Sequence, residues 1–522
     1  MTLKLNIKDK FNKELPADPI LENSRRQVSE ACFSFVTPKI PSNPSLIHVS
    51  PEMLNNLGLT KEDSETKDFL NLVTGAEIFP NTKPYAMCYA GHQFGNWAGQ
   101  LGDGRAINLA EIEHKNKHWA LQLKGAGETP YSRSADGLAV LRSSIREYLC
   151  SEAMFHLGVP TTRALSLSLS GDQVLRDVMY NGNPDYEKGA IVARVSPSFL
   201  RFGSYQIFPS RGDVDTLKTL VDFTINTHYS HLGKPSKAVY IAFMKEVATR
   251  SLDMVIHWQR VGFVHGVMNT DNMSILGLTI DYGPYGWLEG YDHGWTPNTT
   301  DNTHKRYSYG SQMQITHWNL FQLANAIYPL VEDAEPFETI LNDFPKEAET
   351  AYRDMMRSKL GLKVEIESDG ELIEELEKVL HTSETDMTIF FRNLANLKTS
   401  EYQEWWSIIS NAFYKPNEIN GDIKDSWKHW FSNYGKRLAK EQSTDQERKL
   451  EMNSINPKYV LRNYMAQLAI DDADKGDYKL IEEFFNLLKK PYDEQPTSEK
   501  WFSKRPEWAR NKVGCSMLSC SS

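Results

Sequence analysis

Residues 265–272 read HGVMNTDN, and this stretch has the frame of a catalytic loop. A protein-kinase loop reads H-R-D-L-x-x-x-N, in which the Asp accepts the proton of the substrate hydroxyl and the Asn binds a metal ion. His265 and Asn272 occupy the two ends of that frame, but Val267 stands where the Asp belongs. The stretch therefore predicts a kinase-like fold whose catalytic base is not at the usual position.

A second kinase-like motif follows this loop. D-Y-G at residues 281–283 stands in the place of the kinase D-F-G, nine residues after Asn272. A tight turn between the two motifs would let Asn272 and Asp281 converge on one cation. Amide and carboxylate oxygens, completed by nucleotide phosphates, favour Mg²⁺ or Mn²⁺.

Upstream of the loop, residues 99–105 read GQLGDGR. Such a stretch is often only a turn, but Gly102 and Gly104 would also let the backbone approach phosphates, to which Arg105 would add positive charge. Two alternating apolar runs follow and predict adjacent antiparallel strands, with Lys124 on the face opposite to the apolar side chains.

A helix is expected over about residues 136–157, because Leu138, Leu141, Ile145 and Leu149 recur at helical spacing. Glu147 lies on its more polar side. In a kinase the corresponding Lys contacts the nucleotide phosphates and pairs with a helix Glu, so Glu147 is the expected partner of Lys124. An ordinary solvated carboxylate is the alternative.

The order of these features predicts an α+β protein with a two-lobed protein-kinase-like fold, extended at both ends. We expect four regions in chain order: an N-terminal flanking region (1–90), an N-lobe with a nucleotide-binding sheet (91–200), a helical C-lobe with the catalytic loop and DYG (201–330), and a helical C-terminal extension (331–522).

Asp271 is the candidate catalytic base. It stands at position seven of the loop and not at position three, which moves the carboxylate by several ångströms and suits a hydroxyl that approaches a different phosphorus. The alternative is that Asp271 caps a local turn.

Two arginines, Arg194 in AIVARV and Arg201 in SPSFLRFG, have no counterpart among the residues that a standard kinase motif requires. If both face the nucleotide, they form a cationic cluster with Lys124 and Arg105. Expelling pyrophosphate from an α-phosphorus needs compensation of more negative charge than transfer of a γ-phosphoryl group. Ordinary surface ion pairs are the alternative.

Charge, cysteine content and hydrophobicity limit the kinds of partner and compartment expected for this protein. With 58 basic and 68 acidic residues the formal net charge is -10, which disfavours general binding to nucleic acid. Five scattered cysteines are too few for a disulfide framework or a zinc site and favour a reducing compartment. No apolar run approaches the roughly 20 residues of a membrane span. We therefore expect a cytoplasmic protein without membrane or nucleic-acid partners. A monomer is the expected state, although no feature of the sequence specifies it.

Taken together, these motifs resemble the selenoprotein O family of kinase-fold protein adenylyltransferases, in its bacterial form with cysteine. The resemblance covers nearly the whole chain. It includes GHQFGNWAGQLGDGRA, LQLKGAGETPYSRSADGLAVLRSSIREYL, HGVMNTDN with DYGPYG, NPKYVLRNYMAQ and the terminal CSS.

The resemblance implies that ATP binds in a flipped orientation relative to kinases and that AMP passes from its α-phosphate to hydroxyl side chains of proteins. It implies a base at Asp271, an ion-pair partner for the lysine at Glu147, metal ligands at Asn272 and Asp281, and nucleotide contacts at Gly102, Gly104, Arg105, Lys124, Asp136, Gly137, Arg194, Arg201 and Asp281. Asp136 and Gly137 come from the resemblance alone, because by themselves they look like a plain helix start.

Cys520 matches the place where some family members carry selenocysteine, which implies redox control through the C-terminal tail. No cysteine lies between Asp281 and Thr316, the loop that holds a disulfide partner in some bacterial relatives. Cys515 or a more distant cysteine would have to replace it, or the tail is inert in this protein.

Three functions are compatible with the sequence. The leading one is transfer of AMP from ATP, or of UMP from UTP, to Ser, Thr or Tyr hydroxyls of proteins. The others are a protein kinase with a relocated base and a catalytically silent pseudokinase that binds nucleotide as a scaffold.

Overall fold

A computed structural model describes residues 3–179 and 182–519 of the chain. The described residues form a lobe built on an antiparallel sheet, a helical lobe, and a C-terminal helical extension, so the α+β, two-lobed kinase-like architecture is confirmed. None of the helices in these two ranges combines the length and the apolar character that crossing a membrane requires.

The strands are short except for the central ones of the main sheet. In chain order they are β1 (Phe33–Phe35), β2 (Ser45–Val49), β3 (Tyr85–Met87), β4 (Ala90–Gln93), β5 (Asn96–Gln100), β6 (Ala106–His114), β7 (Lys117–Lys124), β8 (Ala139–Val140), β9 (Arg163–Arg176), β10 (Asp185–Ser196), β11 (Phe263–Val264) and β12 (Gly286–Trp287).

Eight of these strands form one antiparallel sheet in the order β1-β3-β6-β7-β10-β9-β2, with β8 paired to β10. The first three strands of the chain therefore belong to the same sheet as the strands that follow residue 90. The remaining strands form two two-stranded sheets, the hairpin of β4 with β5 and the pair of β11 with β12.

The register of the central strands brings basic side chains together. Lys124 at the end of β7 lies opposite Val192 of β10, and Gln122 lies opposite Arg194. Because side chains alternate along a strand, Lys124, Gln122 and Arg194 share one face of the sheet. The apolar Leu121 and Leu123 are fully buried on the other face, as the alternating pattern predicts.

The helices vary widely in length. In chain order they are α1 (Phe11–Glu14), α2 (Pro51–Leu57), α3 (Lys61–Ser64), α4 (Lys67–Thr74), α5 (Leu141–His156), α6 (Phe202–Gln206), α7 (Val214–His228), α8 (Lys237–Val261), α9 (Gln312–Ile327), α10 (Glu335–Lys359), α11 (Asp369–His381), α12 (Met387–Leu394), α13 (Trp405–Ile409), α14 (Gly421–Leu438), α15 (Asp445–Ile455), α16 (Asn463–Ala473) and α17 (Lys479–Leu488).

Helix α5 begins later than the apolar spacing predicts. Residues 136 and 137 form a turn in which Gly137 has φ +69°, and residues 139–140 form β8 against β10. Gly127 N donates a hydrogen bond to Gly137 O at 3.1 Å, which holds this turn against the loop after β7. The expected first turn of the helix is therefore strand and turn, because Leu138 and its neighbours pair with other parts of the sheet lobe.

Helix α8 leads directly to the catalytic loop. It ends at Val261, and Gly262, whose φ of 75° reverses the chain, is followed at once by β11. Pairing of β11 with β12 brings the segment before the loop next to the segment after DYG. The loop and Asp281 are thus held between two short paired strands, as the kinase-like frame requires.

The C-terminal extension has its own hydrophobic core and also supports the first lobe. Aromatic side chains fill that second core, among them Trp405, Trp427 and Trp430. Helices α16 and α17 pack instead on α5, where the ring of Phe485 stacks on Tyr148 with centroids 5.9 Å apart. The extension therefore stabilises the helix that carries Glu147.

Candidate active site

A cavity of about 730 Å³ lies between the sheet lobe and the helical lobe. Its volume is typical of a small-molecule site, which spans about 300–1,000 Å³. Ten residues predicted from the sequence line it: Gly102, Gly104, Arg105, Lys124, Asp136, Gly137, Arg194, Asp271, Asn272 and Asp281. Glu147 and Arg201 lie behind this wall and contact the residues that form it.

The glycine-rich loop packs closely on the segment after β7. Gly102 has φ +90°, and a Cβ there would lie 2.4 Å from the ring of Tyr131. A Cβ on Gly104 would lie 2.9 Å from Tyr131 O, and the Ser132 hydroxyl donates to Gly104 O. Both glycines are therefore required by local packing as well as by any ligand that the loop contacts.

Asp103, between these glycines, was not identified from the sequence. Its side chain is buried, accepts a hydrogen bond from Met87 N at 3.0 Å, and lies 3.8 Å from Arg201 Nη2. Burial raises the pKa of Asp103, and the charge of Arg201 opposes that rise. The sequence contains no signal for it, because Asp is common in glycine-rich turns for reasons of backbone conformation alone.

The structure brings Lys124 and Glu147 together, with Nζ 2.5 Å from Oε2. Both side chains are buried, so the ion pair is largely protected from solvent. Burial lowers the pKa of Lys124, and the charge of Glu147 opposes that change. Glu147 is therefore a buried partner of Lys124 and not a solvated carboxylate on the helix surface.

Arg194 and Arg201 both bind Asp281. Arg194 Nη1 lies 2.6 Å from Asp281 Oδ1 and 2.9 Å from Glu147 Oε1, while Arg201 Nη1 contacts Asp281 Oδ2. The two arginines are 3% and 1% exposed, which excludes ordinary surface ion pairs. Burial would raise the pKa of Asp281, but Arg201, Arg194 and Lys124 hold it well below its usual range. Asp281 is therefore ionised at neutral pH.

Asp281 also has an unusual backbone conformation. Its φ of 58° lies in the left-handed region, which residues other than glycine adopt rarely. Such conformations occur at functional sites where surrounding contacts fix them. In this site the ion pairs with Arg194 and Arg201 supply those contacts.

His265 has a structural role at the start of the catalytic loop. Its Nδ1 accepts a hydrogen bond from Val267 N at 3.3 Å, so the proton is on Nε2, which donates to Ile280 O at 2.9 Å. Burial lowers the pKa of His265 and keeps the ring neutral. The histidine thus connects the loop to the residue that precedes Asp281.

Asp271 lies in a 3₁₀ turn formed by residues 270–272, whose N-cap position is held by Asn269 and not by Asp271. Asp271 Oδ2 accepts a hydrogen bond from Gln93 Nε2 at 3.1 Å, whereas buried Oδ1 has no hydrogen-bond partner among the described residues. Burial raises the pKa of Asp271 to about 6, although Gln93 and Arg201 act in the opposite direction. A carboxylate of this kind can accept a proton at neutral pH.

Asn272 and Asp281 offer hard oxygen donors. Asn272 Nδ2 donates to Val267 O at 2.8 Å, and this orientation leaves the amide oxygen as the free acceptor. Within residues 3–179 and 182–519, no cluster of three or more His, Cys, Asp or Glu side chains could hold a metal ion. Two oxygen donors fit Mg²⁺ or Mn²⁺, which usually takes further ligands from phosphates and water.

Asp136 forms a two-pronged ion pair at the edge of the cavity. Arg176 Nη1 and Nη2 each lie 2.8 Å from one of its oxygens, and Leu138 N donates to Oδ1 at 3.0 Å. The pKa of Asp136 is lowered, because Arg176 and Leu138 outweigh the effect of partial burial. Arg176 lines the same cavity and was missed, because its role depends on the distant turn at residue 136.

Arg105 lies on the cavity wall, and its carbonyl accepts a hydrogen bond from Gly125 N at 2.8 Å. That bond joins the end of the glycine-rich loop to the end of β7. The positive charge of Arg105 contributes to lowering the pKa of Lys124, so the two cations lie close in the same pocket.

The four cysteines in the described ranges, Cys32, Cys88, Cys150 and Cys515, are free and buried. Cys520 lies outside the described residues, so the predicted redox role of the tail stays a prediction. Just before it, Leu518 is fully buried and pairs with Asn298 in the loop after DYG.

Comparison with known proteins identifies the family. The family model described as protein adenylyltransferase SelO matches residues 20–489. The protein nucleotidyltransferase YdiU of Flavobacterium johnsoniae is 61% identical over 519 residues, covering 99% of each chain. The protein of the same name from Rhodopirellula baltica is 52% identical and covers 100% of each chain.

A solved structure is also similar in part. ROP2 from Toxoplasma gondii, described as a virulence factor with a protein-kinase fold and no enzymatic activity, is 11% identical, with a TM-score of 0.26 and coverage of 64% of this chain and 99% of that chain. This TM-score is too low to bear on the fold or the activity. The match to the family model and the identity to full-length relatives establish that the chain belongs to the SelO family of protein adenylyltransferases.

Proposed function

We propose that this protein transfers the AMP moiety of ATP to Ser, Thr or Tyr hydroxyls of other proteins and releases pyrophosphate. Its family and its relatives are protein adenylyltransferases and nucleotidyltransferases. The observation that carries the proposal is the separation of charge in the cleft. Arg194, Arg201 and Lys124 surround the Asp281 carboxylate, whereas the Asp271 carboxylate has no ion pair among the described residues and one oxygen without a hydrogen-bond partner there.

The nucleotide occupies the cavity between the lobes in this proposal. Gly102 and Gly104 bring backbone close to the phosphates, while Arg105 and the turn at Asp136 and Gly137 form the outer wall. Lys124, Arg194 and Arg201 compensate the negative charge of the triphosphate. Following the family resemblance, the ATP lies in a flipped orientation relative to kinases, so that the α-phosphate and not the γ-phosphate faces the base. UTP is a further proposed donor.

A divalent cation, Mg²⁺ or Mn²⁺, would be held by Asn272 and Asp281 and would supply additional neutralisation of the phosphates when bound. Both oxygens of Asp281 contact arginines, so the cation must compete with Arg194 and Arg201 for this carboxylate. Arginines displaced from Asp281 would remain available to the phosphates.

The proposed reaction is a displacement at the α-phosphorus. Asp271 accepts the proton of the substrate hydroxyl, whose oxygen forms a bond to the α-phosphorus. The bond between that phosphorus and the bridging oxygen breaks, and its electron pair leaves with pyrophosphate. With a pKa of about 6, Asp271 is about nine-tenths ionised at pH 7 and ready to accept that proton.

Labelled nucleotides test this function. The protein is incubated with casein, a hydroxyl-rich acceptor, and with ATP labelled at the α or the γ position in the presence of Mg²⁺ or Mn²⁺. Protein-bound α label is expected. Label from the γ position alone would instead indicate a kinase with a relocated base, and nucleotide binding without either label would indicate a scaffold.

The variant Asp271→Ala is expected to abolish α labelling while nucleotide binding stays within about twofold, because a positioned base contributes about 10²–10⁴ in rate. Asp343→Ala is the matched control, since Asp343 is exposed on α10, far along the chain from the site. Full activity of Asp271→Ala would refute the assignment of the base.

A further inference from the structure

The hairpin of β4 and β5 lies against the catalytic loop, residue by residue. His92 N donates to Thr270 Oγ1 at 2.7 Å, and Phe94 N donates to Asn269 Oδ1 at 3.1 Å. Between them, Gln93 Nε2 donates to Asp271 Oδ2 at 3.1 Å. Three consecutive residues of the N-lobe hairpin thus bind three consecutive residues of the C-lobe loop. Gln93 also lines the nucleotide cavity.

The hairpin approaches the helical lobe closely, so that a side chain would be tight at Gly91 and would have no room at Gly203. A Cβ on Gly91 would lie 3.0 Å from Thr270 Oγ1 and 3.1 Å from Asp271 Oδ1. A Cβ on Gly203 would lie 2.0 Å from Ala90 O, at the other side of the hairpin. The backbone of β4 thus lies directly against the side chains of Thr270 and Asp271, which keeps the hairpin close to the base.

The two oxygens of Asp271 consequently differ. Oδ2 is held by the Gln93 amide, whereas Oδ1 lies beside Gly91, is buried, and has no hydrogen-bond partner in the described part of the chain. With Oδ2 held by the amide and Oδ1 packed against Gly91, the carboxylate has one defined orientation. Without the amide, rotation of the carboxylate would exchange the two oxygens.

We propose that Gln93 is the positioning residue for the catalytic base. Its amide holds Asp271 Oδ2 and fixes the orientation in which the carboxylate accepts the proton of the acceptor hydroxyl. This inference rests on the proposed role of Asp271 as base. Gln93 itself takes no proton and acts only through Asp271.

Three substitutions at position 93 separate positioning from packing. Gln93→Met keeps the length of the side chain but cannot donate a hydrogen bond, and Gln93→Ala removes the side chain. Gln93→Glu keeps the shape but places a second carboxylate beside Asp271. Positioning predicts that the rate of α-label transfer to casein at saturating ATP falls about tenfold in both Gln93→Met and Gln93→Ala, a part of the full contribution of a base.

Gln93→Glu is expected to lower the rate further, because it replaces a donor by a like charge. The ATP concentration at half-maximal rate and the thermal unfolding midpoint should stay at their wild-type values in all three variants. A packing role predicts a different result. The rates of Gln93→Met and Gln93→Glu would then be near normal, and only Gln93→Ala would lose activity. Asn96→Ala, at the exposed first residue of β5 in the same hairpin, is the control and should keep the wild-type rate.

The experiment distinguishes the two proposals from each other. If Asp271→Ala abolishes labelling but Gln93→Met labels at the wild-type rate, the positioning role is refuted and the base assignment stands. If Asp271→Ala labels normally, the base assignment fails, and the role of Gln93 fails with it. If ATP dependence or thermal stability changes along with the rate in Gln93→Met, the hairpin contact is structural and the inference is overturned.

Discussion

The ion pair of Lys124 and Glu147 should respond asymmetrically to the loss of its two members. Glu147 has two cationic partners, Lys124 at 2.5 Å and Arg194 at 2.9 Å, whereas Lys124 has Glu147 as its one ion-pair partner among the described residues. Glu147→Leu therefore leaves a buried ammonium without its ion-pair partner, and only the more distant charge of Asp281 remains to compensate it. Lys124→Met leaves Glu147 still bound to Arg194.

The expected magnitudes follow from this geometry. Removing one member of a buried pair typically costs about 3–5 kcal/mol when the other charge is left uncompensated, and we expect this for Glu147→Leu. Lys124→Met should cost at most about 1–2 kcal/mol, because no buried charge is stranded. The double variant should be less destabilised than the sum of the single variants, since no ammonium is left to be stranded once the lysine is also replaced.

Urea denaturation followed by tryptophan fluorescence measures these differences in the nucleotide-free protein at neutral pH. The pair Lys245–Glu347 is the matched control, because its 2.5 Å separation is the same but its side chains are 41% and 39% exposed. Lys245→Met and Glu347→Leu should each change the free energy of unfolding by less than about 1 kcal/mol. Equal destabilisation by Lys124→Met and Glu147→Leu would refute the reasoning.

Three other measurements test further parts of the structure. Burial raises the pKa of Glu289 from 4.5 to about 7, so the folded state is destabilised as pH rises through that range. In denaturation experiments Glu289→Gln should be more stable than wild type at pH 8 by up to about 3 kcal/mol and nearly equal to it at pH 4, below the pKa of the unfolded state. Arg176→Ala removes the partner that orients Asp136, and it should weaken ATP binding about tenfold in calorimetry, since a charge-assisted pair of hydrogen bonds is lost from the cavity wall. An unchanged affinity would show that the Asp136 turn does not need Arg176. Removal of divalent cations with EDTA should abolish α labelling but leave the thermal midpoint of the nucleotide-free protein unchanged, because two oxygen donors complete a cation site only together with phosphates. Labelling that persists in EDTA would contradict the assignment of Asn272 and Asp281 as metal ligands.

The sequence predicted the elements whose signals are local. The frame around His265 and Asn272, the alternating run that ends at Lys124, and the spacing of DYG depend on neighbouring residues, and each lies where the pattern placed it. The predicted start of α5 was wrong. The apolar spacing at Leu138 continues a helical period, although the chain there pairs as a strand.

The residues that sequence reasoning missed act through distant partners. Asp103 is significant only because Arg201 lies beside it, and Arg176 only because the turn at residue 136 folds toward it. Gln93 lies 178 positions before Asp271, and nothing in GHQFG indicates that contact. Tertiary folding creates these relationships, so a single sequence without a structure does not contain a readable signal for them.

The packing around α5 has a consequence for control of the enzyme. Twelve of the sixteen residues of this helix are buried, the sheet covers one side, and α16 and α17 cover another. Regulated kinases change activity by swinging the corresponding helix, which makes or breaks its glutamate contact with the lysine. In this protein that movement of α5 would require α16 and α17 to separate from it. The packing therefore holds Glu147 against Lys124, and we expect on-off control of this protein to act on the nucleotide, the acceptor protein or the loop after DYG and not on α5.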